Sequence, residues 1–263
     1  MNNDQSYLEG GHMLKRVLTG AVLVLAMFGV VACGPKQATK IVIASDATFP
    51  PMEMVDENKN IVGFDVDLMT AAAKAGGFTI EFKNAAWDGI FAGLDAGKYD
   101  AVMSSVTITD DRKKTMDFSV PYINAGQILV VRSDTTGVEK LVDLKGKTVG
   151  AQIGTTGAFE IDKVKDANKI TEKTYDEIGL AFADLANGRI AGVVVDTPIA
   201  ANYALQNPDY KGKLTIVGQP FTEEYYGVAV KKGNTKVLDM INAGLKKVIG
   251  TDDYKALQKK WLM

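Results

Sequence analysis

Short apolar runs and segments of helical periodicity alternate along most of this chain. Residues 41–44, Ile-Val-Ile-Ala, form an apolar run bounded by polar residues, which predicts a buried strand. The segment from about Phe64 carries apolar side chains at helical spacing and stops at Gly76 and Gly77, which predicts an amphipathic helix closed by glycine. This alternation is typical of an α/β fold.

The alternation occurs in two successive blocks, each with three predicted strands and two predicted helices. The first block has strands at 41–44, 79–82 and 100–103, with helices from about residue 64 and over 87–95. The second has strands at 148–151, near 170 and at 192–195, with helices from about residue 156 and over 177–186. Two terminal helices are predicted over 235–249 and 252–261.

Extended segments lie at the two boundaries between the blocks. Residues 122–132 and 225–230 are both placed to cross from one block to the other. We therefore predict an α/β fold of two lobes, each a mixed sheet flanked by helices, joined by two hinge strands. Residues 41–124 and 225–263 would form lobe 1, and residues 125–224, including hinge segments, would form lobe 2.

The two blocks also resemble each other residue by residue. Residues 94–102 run parallel to residues 185–193: in each, a helix stops at glycine, a basic residue follows, and a buried strand begins. Any helix-to-strand joint of an α/β protein can have this pattern. If the parallel is continued, it places Ser105 opposite Asp196, each at the carboxyl end of its strand, where open parallel sheets bind ligands.

The start of the chain predicts export. A basic stretch at residues 13–16 precedes an uncharged apolar stretch at 17–32, and residues 30–34, Val-Val-Ala-Cys-Gly, resemble the lipobox of bacterial lipoproteins. We interpret residues 1–32 as upstream residues and a signal peptide, and 33–40 as a tether lipidated at Cys33. A membrane-spanning anchor, or a plain signal peptide with an incidental cysteine, is the alternative, although the apolar stretch is shorter than the roughly 20 residues of a spanning helix.

Composition excludes several classes of function. The net charge is −2, which gives no general attraction to nucleic acid. Processing before Cys33 would remove His12, the only histidine, and acylate the only cysteine. Such a chain cannot run a Ser-His-Asp or Cys-His mechanism and lacks the usual zinc ligands. We expect a monomer without metal or cofactor.

Polar residues collect where the predicted strands end, and they predict a site for an α-amino acid. Arg112, in a helix begun at Thr109, can bind a carboxylate in a bidentate manner, and the amides of the helix near Thr156 can bind the same anion. Asp196 would bind an ammonium group. Two alternatives remain open: Arg112 pairs only with neighbouring acids, or Asp196 only caps a helix that has proline in its first turn.

A family resemblance covers residues 41–262. The segments SDATFPPMEM, VGFDVDLM, SSVTITDDRKKTMDFSVPY, DLKGKTVGAQIGTTG, NGRIAGVVVDTP and the closing KKW, in this order and spacing, resemble the family-3 extracellular solute-binding proteins, the amino-acid receptors of ATP-driven importers. The resemblance implies a type II periplasmic binding protein that closes on a free L-amino acid and delivers it to an ABC transporter permease. It would stand outside the cytoplasm, held to a membrane by lipid at Cys33.

The same resemblance implies a role for each candidate residue. Arg112, Thr107, Thr155 and Thr156 would bind the α-carboxylate, and Asp196 with Ser105 the α-amino group. The ligand side chain would lie between Phe49 and Trp87, with Asp46 and Gln152 nearby.

The identity of the ligand depends on fewer residues. GAQIGTTG, which contains Gln152, is closer to the arginine-binding pattern than to the glutamine-binding one, and Asp46, Glu53 or Asp65 could supply negative charge to a guanidinium group. We expect a basic amino acid, arginine first, with glutamine as the alternative. An enzyme similar to cyclohexadienyl dehydratases is the alternative of another class. It needs a positioned general acid, and the residues before Asp196 are the apolar Val194 and Val195, so we expect a chain that is not an enzyme.

Overall fold

The computed structural model describes residues 38–263, which form an α/β fold with two five-stranded sheets. The predicted signal peptide and Cys33 lie outside these residues. None of the helices within residues 38–263 is long and apolar enough to cross a membrane.

The helices, in chain order, are α1 (Phe64–Gly76), α2 (Ile90–Asp95), α3 (Asp110–Thr115), α4 (Thr156–Asn168), α5 (Ile178–Ala186), α6 (Thr197–Ala201), α7 (Thr235–Val248) and α8 (Asp252–Leu262). A 3₁₀ turn spans Leu141–Leu144, and a π-helical turn spans Asn202–Gln206.

The strands, in chain order, are β1 (Lys40–Ser45), β2 (Thr48–Phe49), β3 (Glu53–Val55), β4 (Ile61–Val62), β5 (Thr79–Asn84), β6 (Ala101–Val102), β7 (Met116–Phe118), β8 (Ile123–Asn124), β9 (Gln127–Arg132), β10 (Thr148–Gln152), β11 (Thr171–Tyr175), β12 (Gly192–Asp196), β13 (Leu214–Val217), β14 (Tyr225–Tyr226) and β15 (Ala229–Lys231).

The two sheets have equivalent strand orders. The first is ordered β5-β1-β6-β15-β7 and the second β11-β10-β12-β9-β13. In each sheet the first three strands are parallel, and the strand that follows them is antiparallel. Strands β6 and β12, which the sequence parallel predicts to correspond, therefore occupy the same position in their sheets. Every residue of β12 is buried, as expected for a parallel strand covered on both faces.

Two short strands carry the chain between the sheets. β8 follows β7 of the first sheet and precedes β9 of the second, and β14 lies between β13 and β15 on the return path. β8 and β14 pair with each other in an antiparallel ladder. The carboxyl ends of the parallel strands in both sheets lie beside this double crossing, and the site described below is built there.

One predicted helix is shorter in the structure. The pattern predicts a helix over 87–95, but α2 begins at Ile90. Gly89 has a left-handed backbone, with φ of 85°, which cannot continue a right-handed helix toward the N-terminus. Trp87 therefore lies in the turn before the helix and is free to face the strand ends.

The packing of α1 against α7 depends on a glycine. A Cβ atom at Gly244 of α7 would lie 2.4 Å from the backbone oxygen of Ala72 in α1. Gly244→Ala is expected to destabilise the protein by about 1–3 kcal/mol, because overpacking against backbone outweighs the gain in helix propensity of about 1 kcal/mol. Thermal unfolding measures this, with Lys246→Ala on the exposed face of the same helix as control. An unchanged melting temperature for Gly244→Ala would contradict the packing described.

Candidate functional site

All ten residues that the sequence predicts to bind a ligand line a single cavity. The cavity lies at the strand ends of the two sheets and has one further lining residue, Ser104; the complete lining is Asp46, Phe49, Trp87, Ser104, Ser105, Thr107, Arg112, Gln152, Thr155, Thr156 and Asp196. Most of these side chains are buried, whereas Arg112 and Thr155 are partly exposed. The site is therefore a mostly enclosed polar cavity with two aromatic residues in its wall.

Hydrogen bonds cross the cavity from one sheet to the other. Gln152 Nε2, at the end of β10, donates to Asp46 Oδ2 beyond the end of β1 at 3.0 Å. Arg112 donates from its second terminal nitrogen to the carbonyl oxygen of Gly154 at 3.2 Å. The hydroxyl oxygens of Thr107 and Thr156 lie 3.4 Å apart. The two strand-end edges are thus in contact, as in a closed cleft.

Arg112 is fixed by its own helix end and by aromatic neighbours. Thr109 caps α3 and accepts a hydrogen bond from the backbone amide of Arg112 at 3.1 Å. The guanidinium donates to the carbonyl oxygen of Thr107 at 2.9 Å and lies 5.5 Å from the ring centroid of Trp87. Burial lowers the pKa of Arg112 to about 10, although Asp196 and Glu224 oppose the shift. The group remains cationic at neutral pH, so it can bind an anion.

The neighbouring acids do not pair with Arg112. Asp110 binds Lys113 at 3.1 Å and Asp111 binds Lys114 at 2.6 Å, all on the exposed side of α3. The alternative in which Arg112 serves only a surface ion pair is therefore wrong. Its nitrogen atoms instead contact backbone oxygens at the edge of the cavity, which leaves the positive charge without a carboxylate partner in the described residues.

The start of α4 offers backbone donors rather than hydroxyl donors. The Thr155 hydroxyl caps the helix and donates to the carbonyl oxygen of Gln152 at 2.8 Å. The Thr156 hydroxyl donates to Glu224 Oε2 at 2.6 Å and accepts from Gln127 Nε2 at 3.0 Å. Each hydroxyl proton is already used, whereas the first amides of a helix have no intrahelical acceptor. An anion here would bind the amides at the start of α4 together with Arg112.

Asp196 is a buried acid with an unsatisfied oxygen. It stands at the N-cap of α6, before Pro198, but its side chain makes no capping hydrogen bond, so the capping interpretation does not explain it. Oδ1 is buried and accepts no hydrogen bond from residues 38–263. Burial, and secondarily the charge of Glu224, raise the pKa of Asp196 to about 7. Because Asp196 lines the cavity, a cationic group bound beside it would stabilise the ionised carboxylate.

Asp46 and Gln152 bring an acid and an amide together in the cavity wall. Asp46 accepts hydrogen bonds from Gln152 and, at 2.8 Å, from the Thr48 hydroxyl, and burial raises its pKa despite both bonds. Phe49 and Trp87 line the cavity while also belonging to separate hydrophobic clusters. Trp87 packs edge-on against Phe91. These two aromatic residues are therefore rigid parts of the wall.

Two acids considered from the sequence lie behind the wall. Glu53 and Asp65 are fully buried, do not line the cavity, and bind the serines of the wall from behind. The expectation that they supply charge to a ligand guanidinium is wrong, because neither carboxyl group lines the cavity. The sequence reasoning also missed Ser104, Gln127 and Glu224. Ser104 adjoins Ser105, which was a usable signal, whereas Gln127 and Glu224 come from the crossing segments and reach the site only through the tertiary fold.

Comparison with known proteins decides the family. The description of the family that matches residues 41–263 is bacterial extracellular solute-binding proteins, family 3. The chain belongs to this family. A probable histidine-binding protein of Neisseria gonorrhoeae is 41% identical over 220 residues, which cover 83% of this chain and 81% of that protein. The putative ABC transporter arginine-binding protein 2 of Escherichia coli (strain K12) is 36% identical over 247 residues, covering 91% and 98%.

Solved structures agree with this assignment and confirm the predicted fold class. An ancestral arginine-binding protein bound to arginine superposes with a TM-score of 0.80 at 40% identity, covering 86% of this chain and all of that one (100%). An ancestral amino acid-binding protein, a precursor of cyclohexadienyl dehydratase, gives a TM-score of 0.77 at 35% identity, covering 85% and 96%. The chain is thus a two-lobed α/β solute-binding protein of an extracytoplasmic family.

Proposed function

We propose that this protein is the extracytoplasmic receptor of an ABC transporter and that it closes on one free L-α-amino acid. The observation that carries the proposal is that one cavity contains both the cationic Arg112 and Asp196, a buried acid with one oxygen that accepts no hydrogen bond within residues 38–263. An α-amino acid is the small molecule that presents an anion and a cation on the same carbon atom. The site would therefore bind the α-carboxylate and the α-ammonium group, which all free amino acids share.

The α-carboxylate would bind Arg112 and the amides at the start of α4, and the ammonium group would bind Asp196. Both pairs are charge-assisted, which makes them strong inside a cavity that excludes water. The hydrogen bonds from Gln152 to Asp46 and from Arg112 to Gly154 would hold the cleft closed around the ligand. After docking, the amino acid passes to the permease. We also propose lipidation at Cys33, a monomeric state and no cofactor.

Arginine is the proposed ligand. A side chain leaving the α-carbon between Phe49 and Trp87 would end near Asp46 and Gln152, which offer an anion and an amide oxygen to a guanidinium group. Relatives named as arginine-binding proteins support this choice. Glutamine is the second candidate, because one similar structure is an ancestral arginine-binding protein bound to glutamine, and Gln152 could bind an amide.

A thermal-shift screen of the twenty amino acids tests the proposal. A ligand that binds only the native state raises the melting temperature. At a ligand concentration of 100 Kd it adds about 2.7 kcal/mol to the free energy of unfolding. We expect the largest shift with L-arginine and none with agmatine, which lacks the carboxylate. A screen in which no amino acid raises the melting temperature of ligand-free protein would refute the receptor function.

An enzyme on the same fold is the rival function. Glu224 lies close enough to raise the pKa of Asp196, so the site holds a second acid that the sequence reasoning missed. Glu224 nevertheless accepts a hydrogen bond from Thr156 and serves the wall of the cavity. We expect no turnover of prephenate or arogenate; measurable product formation that Asp196→Asn eliminates would favour the enzyme.

A further inference from the structure

Two carboxyl groups lie directly behind the serines of the cavity wall. Glu53 and Asp65 are both fully buried, and no lysine or arginine within residues 38–263 forms an ion pair with either. Both converge on Ser105: its backbone amide donates to Asp65 Oδ2 at 3.1 Å, and its hydroxyl donates to Glu53 Oε2 at 3.3 Å. The Ser104 hydroxyl donates to Glu53 Oε1, also at 3.3 Å. Burying two acids without a cationic partner costs free energy, so their position behind the cavity wall points to a role at the site.

Ser105 has a backbone conformation that its surroundings must hold. Its φ of 51° lies in the left-handed region, which is uncommon for a residue other than glycine. Strained residues of this kind persist where the neighbouring structure determines them, and they cluster at ligand sites. The carboxyl groups of Asp65 and Glu53 hold the amide and the hydroxyl of Ser105, so they are the groups that fix this conformation.

Burial favours the protonated form of both acids. Burial raises the pKa of Asp65 to about 6, although hydrogen bonds from the Tyr122 hydroxyl, at 2.7 Å, and from the Ser105 amide oppose the shift. Burial and the charge of Asp65 raise the pKa of Glu53 well above its ordinary value. Asp65 Oδ1 is buried with no other donor in the described part of the chain, so a proton on Glu53 can serve it. Asp46 and Tyr226 also face this cluster, and neither supplies a positive charge.

We propose that Glu53 and Asp65 are positioning residues that turn the hydroxyl protons of Ser104 and Ser105 away from the cavity, so that this wall accepts hydrogen bonds from a ligand's ammonium group. A serine hydroxyl has one proton and two acceptor lone pairs. Each proton is directed to Glu53, and the Ser104 oxygen also accepts from the amide of Asp46 at 2.9 Å. The lone pairs of the Ser105 hydroxyl oxygen therefore remain available to accept hydrogen bonds from a ligand in the cavity.

The consequence is a stretch of cavity wall with fixed hydrogen-bonding polarity, in the same cavity as Arg112. Acceptor atoms at Ser105 favour an ammonium group beside it, and the cation of Arg112 favours a carboxylate, so the wall favours one orientation of the ligand. Tyr122 extends the same cluster to the crossing strands, because its backbone amide donates to the carbonyl oxygen of Tyr226 in β14 at 3.0 Å. This inference rests on the proposed amino-acid binding.

A double-mutant cycle tests the inference with the amino acid that the wild type binds most tightly among the twenty. Glu53→Met keeps the length of the side chain but removes both acceptors, and Glu53→Gln is the matched polar control. Calorimetry is expected to give at least a tenfold weaker Kd for Glu53→Met and recovery of most of that loss in Glu53→Gln. Adding Ser105→Ala to Glu53→Met is expected to weaken binding by less than about twofold more, because Glu53 acts through Ser105.

Each possible outcome of these binding measurements either supports or overturns the positioning role of Glu53. If Ser105→Ala weakens binding by the same factor in the Glu53→Met variant as in the wild type, Glu53 does not act through the serine, and the inference is overturned while the receptor function stands. If Glu53→Met does not fold, the decision falls to Glu53→Gln: retention of binding within about tenfold supports the inference, and a larger loss in a natively melting protein overturns it. If the wild type binds none of the twenty amino acids, the proposed function fails and the inference fails with it.

Discussion

The variant Arg112→Ala is expected to lose amino-acid binding while keeping its fold. Truncating one partner of a buried, hydrogen-bonded charge pair costs about 2–5 kcal/mol, which raises Kd by a factor of about 30 to several thousand. The guanidinium donates its hydrogen bonds to the carbonyl oxygens of Thr107 and Gly154, so its removal leaves no carboxylate of the protein without a partner. Calorimetry with L-arginine and thermal unfolding separate the two effects.

Two further variants make this test specific. Arg112→Lys keeps the charge but loses the fork that binds a carboxylate through two parallel hydrogen bonds, so we expect partial loss of affinity. Arg132→Ala removes a cation that pairs with Asp134 on the surface, at 2.7 Å, and should leave Kd unchanged. Undiminished affinity in Arg112→Ala would show that the carboxylate binds elsewhere.

Asp196→Asn is expected to abolish binding and, at the same time, to stabilise the ligand-free protein at alkaline pH. The folded-state pKa of Asp196 is raised from 3.8 to about 7 by burial, chiefly, and by Glu224. Between these two values the native state keeps a proton that the unfolded state has released, so the free energy of unfolding falls as pH rises through this window. Asparagine cannot ionise, so the variant should exceed the wild type by about 1–3 kcal/mol near pH 8.

The same group predicts how wild-type affinity depends on pH. An ammonium group needs the ionised carboxylate, so binding below a pH of about 7 must first release the proton of Asp196. Affinity should therefore weaken as pH falls from about 8 to 5, and calorimetry in buffers of different ionisation enthalpy should show proton release near pH 6. Equal wild-type affinities at pH 5 and pH 8 would contradict the assignment. Weak wild-type binding at both pH values, together with ligand binding by Asp196→Asn, would contradict it as well.

The sequence predicts this fold well because its signals are local. The apolar run at 41–44 and the helix from Phe64 to the glycine pair appear in the structure nearly as expected, as β1 and α1. The parallel between residues 94–102 and 185–193 corresponds to equivalent positions of β6 and β12 in their sheets. Ser105 and Asp196 could be placed at strand ends for the same reason. The boundaries of the two lobes and the ligand roles stay predictions.

The remaining features of the site depend on contacts that no local pattern encodes. Glu224 and Gln127 both contact Thr156, although they are separated from each other by about a third of the chain. Glu53 and Asp65 look like exposed acids in the sequence, because charged residues are rarely fully buried without a partner. Only the fold brings them behind Ser105, where hydroxyl and amide donors replace the missing cation.

A crystal structure with L-arginine, obtained from protein first freed of ligand, shows directly which groups bind the amino acid. We expect one bound molecule in the cavity, with its carboxylate within hydrogen-bonding distance of Arg112 and of the amides at the start of α4, and its ammonium group on Asp196. A ligand bound in the opposite orientation, or at a site that touches neither Arg112 nor Asp196, would refute the proposed binding mode.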